Sequence, residues 1–469
     1  MIQDSLFDSK SQYSTLITNP QIDKVRPVSL QCILKNSIVM NRILVLLISF
    51  LSITPAFTQT GILDSYIQTA LDSNLALQQK EYSYQKSLEA LNEAKRMFLP
   101  TVSFNASYTL AKGGRTVVIP LENMMNQEFS FVRSTEQETK LIAGMPLFNA
   151  IIIQNHKIKT GLTEVENINI DIYKRELVKE VKSAYVKYLQ SKQMYLLYNN
   201  TLTTVNQNLK NRQSLFSNDK ITIDQVYAAK AQVKQVERDL TGANKNKVMA
   251  LSWFNFLLNR EFDSEIELEL SAVPVISTYN LEEIKKASRT NREEFIQLDK
   301  YIEIQENTVK LEKGTALPTV SLFGQYGFQG TDYSFDSDAD LAIMGVSMKW
   351  DLFTSGQRQS KIKQAQIDRN IIESRKKEVE RQVQLEVIDA YYSIQTVMQG
   401  IELANEELYN YQKSYKLVEK KYQQGMVNYL EYSNSLNNKL NAEIKLIFAR
   451  YSYQLEQIRL ERLTSGYQF

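Results

Sequence analysis

The sequence predicts a mostly helical chain with a few strands, built as a duplicated helix–strand–strand–helix unit. Three observations predict it. The hexapeptide LPTVSF at 99–104 returns as LPTVSL at 317–322. After each of these, runs of about ten residues alternate apolar and polar, the period of a strand. Beyond the strands lie two long stretches whose apolar residues are spaced alternately four and three, the period of a coiled-coil seam.

Composition agrees. The 469 residues include 15 glycines and 8 prolines, few enough for long uninterrupted helices. A net charge of +2 gives no broad basic field for nucleic acid, so none is expected as a partner. One histidine and one cysteine remove Ser-His and Cys-His catalysis and multi-histidine metal sites. His156 reads as a polar surface residue. Cys32 has no partner for an intrachain disulfide. Glu282-Glu283 and Glu293-Glu294 are neighbours on helical stretches and read as surface charge. There is no phosphate-binding glycine loop. Neither an enzyme nor a cofactor is expected.

The first element is an address. MNRILVLLISFLSITPAFTQT starts at Met40, with Arg42 before an apolar run from Ile43 to Ile53 and a small-residue cleavage site ahead of Gln59. Residues 40–58 read as a secretory signal peptide, too short to span a membrane comfortably. Residues 1–39 then read as an extension upstream of the true start, the other reading being a cytoplasmic extension with an internal anchor. Cleavage would leave an exported chain without cysteine.

The first repeat is expected over 59–260. It opens with ALDSNLAL at 70–77, similar to ASRTNREE at 287–294, and runs as helix to Leu99-Pro100. Proline drives the residue before it out of the helical region, so a helix stops there and a strand starts. Strands are expected at about 100–111 and 137–148. Val102, Phe104, Ala106, Tyr108 and Leu110 share one face of the first strand. Thr101, Ser103, Asn105, Ser107 and Thr109 share the other. A seam follows through Leu177, Val181, Ala184, Tyr188, Tyr195, Val205 and Phe216, broken by Ser191 and Arg212. The return helix carries Val226, Ala229, Val233, Val236 and Ala243.

Residues 261–280 read as a linker making a belt around the helices. The second repeat is expected over 281–463, with strands at about 318–329 and 341–353 and a tail at 464–469. Ala342, Met344, Val346 and Met348 face one way; Lys349 and Asp351 face the other. Its seam runs unbroken from Val383 and Val387 through Ile394, Ile401 and Tyr415 to Tyr422. The repeats differ mainly in the loop between Ala111 and Gln137, which is the longer. DYSFDSDAD at 332–340 has the spacing of a calcium loop but lacks its glycine and distal glutamate, and reads as a solvated tip. Phe469 is not read as a barrel-closing strand.

Strands of this length and alternation fit a transmembrane β-strand or a half-buried sheet equally. If they span a bilayer, four strands cannot close a barrel and an open edge cannot sit in lipid. Several chains must then combine, and three give twelve strands.

The signal peptide, the duplicated order of elements, the Leu-Pro strand starts and the LF strand exits together resemble the TolC-type outer-membrane efflux family, over about residues 60–465. Ala70 and Asn74 match its opening. NREEF at 291–295, WDLFTSGQ at 350–357 and YQQGMVNYLEYSNS at 422–435 resemble its later motifs. The resemblance implies a homotrimer with a twelve-stranded transmembrane β-barrel in outer-membrane lipid and a long α-barrel crossing the periplasm. It implies the exit duct of a tripartite efflux or type I secretion system, joined to an inner-membrane transporter by a periplasmic adaptor. The other reading is a non-channel coiled-coil scaffold of the envelope. By the same resemblance Asn218, Asp219, Thr222, Asp224, Gly425, Asn428 and Glu431 are candidate adaptor contacts at the helical tips. Asn218-Asp219 stand where the second repeat has Gly425, and both tolerate the left-handed conformation. Where some members carry an aperture aspartate this chain has Lys416. Lys210, Arg212, Lys413, Lys416 and Lys420 are therefore candidates for a basic periplasmic aperture favouring anions or an acidic adaptor; the same cations also fit an ordinary solvated helix face. Thr101, Ser103, Asn105, Ser107, Thr109, Lys349 and Asp351 are candidates for the barrel lumen.

Overall fold

A computed structural model describes residues 61–114, 116–119, 127–130, 133–268, 279–290 and 292–466. The signal peptide, the middle of the linker and Phe469 lie outside them. Within 61–466 the chain runs α1 (Ile62–Ser73), α2 (Leu75–Arg96), β1 (Thr101–Leu110), β2 (Thr116–Ile119), β3 (Gln127–Ser130), β4 (Thr135–Phe148), α3 (Ala150–Ser217) and α4 (Ile223–Leu257). The second half follows as α5 (Leu281–Thr290), α6 (Glu293–Gly314), β5 (Thr319–Gly330), β6 (Asp340–Lys349), α7 (Gln357–Gln423) and α8 (Tyr429–Leu463).

Each opening helix is split, which the sequence reading did not anticipate. At the first break Asn74 is extended, and its Oδ1 accepts from the N–H groups of Ala76 and Leu77 to cap α2. Its Nδ2 donates to the Leu257 carbonyl at 2.9 Å, pinning the break to the end of α4. In the second repeat the break falls before α6, where Arg292 is extended.

The four long strands form one antiparallel sheet in the order β1-β4-β5-β6. Among the described residues β1 and β6 have no further strand beside them. β6 stops at Lys349, so Trp350, Asp351 and Leu352 lie beyond the strand rather than in it as expected. The long first-repeat loop holds a separate hairpin, β2 paired with β3, where the sequence reading saw only loop.

Directly paired residues share a face of a sheet. Register therefore puts Val102, Phe104, Tyr108, Leu141, Tyr326, Met344 and Val346 together. The other face carries Ser103, Asn105, Lys140, Glu138, Gln325 and Lys349. On the apolar face Phe104 is 64% and Met344 83% exposed, while Ile142, Phe323 and Gln325 opposite are half-buried and Gly327 is buried. Shading of one face by its neighbours marks the polar side as concave and the apolar side as convex.

The helices are longer than any single globular core requires. α3 has 68 residues and α7 has 67. At 1.5 Å per residue each is about 100 Å long. α3 packs along α4 and α7 along α8, while α6 packs against both α3 and α7. Val181, Ala184, Val205, Val387, Ala390 and Ile394 are all buried along the seams. One apolar cluster joins α1, α3 and α4 around Ile67 and Phe254, and its counterpart joins α5, α7 and α8 around Val387 and Tyr453. Among the described residues no helix is long and apolar enough to cross a membrane.

The duplication is visible in how helices end. α3, α4, α7 and α8 stop at Asp219 (φ 56°), Asn259 (φ 52°), Gly425 (φ 75°) and Ser465 (φ 53°), all left-handed. Each end makes the same two bonds. Lys220, Arg260, Met426 and Gly466 donate back to the carbonyls of Leu215, Asn255, Lys421 and Glu461, and the left-handed residues donate to Phe216, Phe256, Tyr422 and Arg462. That is the Schellman closure, which satisfies the last carbonyls of a helix.

Candidate functional site

The tips where α3 turns into α4 and α7 into α8 bring the predicted contact residues to one end of the coils. Asn218 donates through Nδ2 to the Ser214 carbonyl at 2.6 Å, closing α3. Asn428 caps α8, its Oδ1 accepting from the Glu431 N–H at 2.9 Å. Thr222 occupies the cap of α4 without a side-chain bond. Asp224 and Glu431 stand in the first turns of α4 and α8, where a carboxylate is favoured by the helix dipole. Asp219 and Gly425 hold the two turns. Between α4 and α8 runs a groove of about 550 Å³, walled by Asp224, Ala228, Gln232, Asn428, Leu430 and Ser433. A second, of about 680 Å³, lies farther along, floored by α3 residues including Tyr198 and closed by Phe448 of α8.

Beneath the first groove both coil pairs meet in one cluster, with Val205, Val233 and Val236 against Tyr415, Tyr429, Tyr432 and Leu436. Arg212, grouped in sequence with the aperture lysines, is instead buried here, 4% exposed. Its guanidinium lies over the rings of Tyr422 and Tyr429 and donates to Gln225 Oε1. Burial pushes its pKa down, and the Tyr429 and Tyr432 hydroxyls act against that. Tyr415 donates to Glu419 at 2.8 Å and lies 3.3 Å from the Tyr432 hydroxyl. Burial, then these two partners, hold the Tyr415 phenol well above its ordinary range. Lys210, Lys413, Lys416 and Lys420 are exposed, and none forms an ion pair among the described residues.

On the sheet, Thr101, Ser103, Asn105, Ser107, Thr109 and Lys349 share the concave face, and Asp351 follows just beyond β6, 3.8 Å from Lys349. The sequence reading placed strands at β4 and β5 but named no lumen residues from them. Glu136, Glu138 and Lys140 put charge on the outer half of the concave face, and Ile142 and Phe323 put apolar groups on the inner half. Alternation in β4 is weak, since both of its faces mix residue types, and strand pairing had to supply the assignment.

The NREEF run has a structural task. Arg292 and Arg462 both reach Glu294, at 3.2 and 2.7 Å, and Arg462 also reaches Glu176 of α3 at 3.4 Å. Arg175 of α3 pairs with Glu293. The network ties α3 of the first repeat to α6 and α8 of the second.

A curved sheet whose edge strands have no further neighbour among the described residues, with an apolar convex face and paired coils about 100 Å long, is a TolC-like arrangement of strands and helices. Residues 286–466 match the model of the outer membrane efflux protein family. The outer membrane protein TolC of Escherichia coli (strain K12) is 20% identical over 435 residues, covering 90% of this chain and 86% of that protein. TolC of Salmonella enteritidis is 19% identical over 403 residues, covering 84% and 80%. The Campylobacter jejuni CmeC outer membrane channel superposes with a TM-score of 0.70 at 14% identity, over 87% of this chain and 86% of that one. VceC of Vibrio cholerae gives 0.69 at 16% identity, over 86% and 95%. Each of these relatives and neighbours is named as an outer membrane protein or channel.

Proposed function

We propose that three copies close a twelve-stranded barrel in the outer membrane and that their coils continue it as a tunnel through the periplasm. The chain then serves as the passive exit duct of a tripartite efflux or type I secretion system. A periplasmic adaptor would dock in the grooves at the tips, contacting Asp224, Asn428 and Glu431, and an inner-membrane transporter would supply the energy. The observation that carries this reading is the sheet: its free edges at β1 and β6 are complementary antiparallel-strand edges, and lipid tolerates no open edge. The concave polar face supplies a wet bore and the convex apolar face a lipid contact.

The test is the oligomeric state of the full chain extracted from outer membranes in detergent. A heat-resistant trimer that forms single channels in a planar bilayer is expected. A monomer that stays soluble without detergent would end the reading. Exposed Lys210, Lys413, Lys416 and Lys420 at the periplasmic end add a charge preference: reversal potentials across a salt gradient should report anion selectivity, and clear cation selectivity would remove the basic aperture from the proposal.

A further inference from the structure

The loop joining β5 to β6, residues 331–339, leaves the sheet at the end away from the helices and folds back over one face. Register decides which. Tyr108 pairs with Gln137, and Phe328 pairs with Thr139 two residues along β4, so Tyr108, Gln137 and Phe328 all stand on the convex apolar face. The loop lies on these residues. Tyr333 stacks on Tyr108 with ring centres 5.7 Å apart, and Phe335 meets Phe328 edge-on at 5.3 Å. Between the two contacts the Ser334 carbonyl accepts from Gln137 Nε2 at 3.3 Å. Gln137 is fully buried under the loop. The loop takes this amide off the apolar face and gives its Nε2 a partner, while Oε1 stays buried without one.

The loop does not hide its own aromatic rings. Tyr333 and Phe335 are each 57% exposed, and Tyr326 beside them 52%. Asp332, Asp336, Asp338 and Asp340 are exposed around the same loop. Rings with an apolar body at the rim of a lipid-facing stripe, next to fully solvated charge, are the chemistry of a membrane–water boundary.

We propose that the 331–339 loop is an interfacial anchor that seats Tyr333 and Phe335 at the headgroup–acyl boundary of the outer leaflet, and is not a lid over the bore. The proposal rests on the outer-membrane channel reading. It deepens that reading by naming the surface this loop contacts: the loop sits on the face of the sheet opposite the lumen residues Ser107 and Thr109.

Site-directed spin labelling of the full chain in lipid bilayers tests it. On a Cys32→Ser background, single variants Tyr333→Cys and Phe335→Cys are labelled, with Met344→Cys and Ser107→Cys as convex and concave references. Two loop positions are used because each variant leaves the other ring in place. The ratio of relaxation by oxygen to relaxation by a water-soluble nickel chelate reports immersion. The ratios at 333 and 335 are expected to be severalfold above that at 107 and below that at 344, placing them at the boundary. Ratios at 333 and 335 equal to that at 107, with 344 still oxygen-favoured, would overturn the anchor and leave the channel reading standing. A nickel-favoured 344 would instead remove the lipid-facing surface, and the anchor with it.

Discussion

The guanidinium carbon of Arg212 lies 4.3 Å from the centre of the Tyr422 ring, joining the α3–α4 coil to the α7–α8 coil at the tips. Tyr429 flanks the same cation at 5.0 Å. A desolvated cation over aromatic faces is worth about 2 kcal/mol, and truncation also removes the packing of the aliphatic stem. Arg212→Ala should therefore loosen the tips locally by about 2–3 kcal/mol, a roughly 30- to 150-fold rise in amide hydrogen exchange around residues 205–230. Arg212→Met keeps the stem and should fall between the two. Equal exchange in all three proteins would show that the cation does not hold the coils together.

That contact also marks where sequence reasoning stopped. The four–three spacing identified the seam from Val383 to Tyr422, and those residues are buried or half-buried. It misjudged the end of the first seam. Arg212 looked like an interruption but is 4% exposed, while Phe216, counted as seam, is 39% exposed. Periodicity gives the direction a side chain takes from its own helix. Whether a charge is tolerated there depends on tyrosines some 200 positions away. The split at Asn74 was hidden for a similar reason, since its carbonyl partner is on Leu257. By contrast the left-handed turn at Asp219 was legible, because that conformation is a local property of the residue.

The repeated helix ends give a paired test. Gly425 and Asp219 occupy equivalent left-handed positions, at φ 75° and 56°. A side chain costs about 1 kcal/mol in that region, and Asp or Asn less than Ala. Gly425→Ala should destabilise its turn by about 1 kcal/mol, while Asp219→Gly should be neutral or stabilising. Thermal midpoints of the detergent-solubilised protein, followed by helix circular dichroism, provide the check. A larger loss at Asp219→Gly than at Gly425→Ala would mean that the Asp219 side chain does something the backbone argument omits.

Acid sensitivity should centre on Glu294. Burial would raise its pKa, but the hydrogen bond from Arg292 and the charges of Arg462 and Arg292 hold it down to about 2. A carboxylate depressed in the folded state contributes its stability above the unfolded value and loses it as pH falls through the folded one. The contribution is thus full at neutral pH and disappears between about pH 4.5 and pH 2. The shift corresponds to about 3 kcal/mol as an upper figure. Glu294→Gln should lower stability at pH 7, where it leaves Arg292 and Arg462 short of a counter-charge, and should flatten the profile below pH 4.5. An unchanged slope in the variant would place the acid-sensitive group elsewhere.

The sheet carries the sharpest steric prediction. A Cβ added at Gly327 would fall 2.2 Å from the Thr139 carbonyl oxygen and 2.5 Å from Lys140 Cα, backbone atoms of the neighbouring strand that cannot turn aside. Real Cβ contacts do not reach such distances, so β4 and β5 would have to separate at the middle of the sheet. Since β4 and β5 are its two central strands, the damage would reach both edges, where neighbouring copies are proposed to join. Gly144 is the control, because a Cβ there meets nothing within 4 Å. Gly327→Ala should abolish heat-resistant oligomers in outer-membrane fractions, and Gly144→Ala should leave them at the level of the unaltered protein. Normal oligomers from Gly327→Ala would mean that the close approach of these two strands is dispensable for closing the barrel.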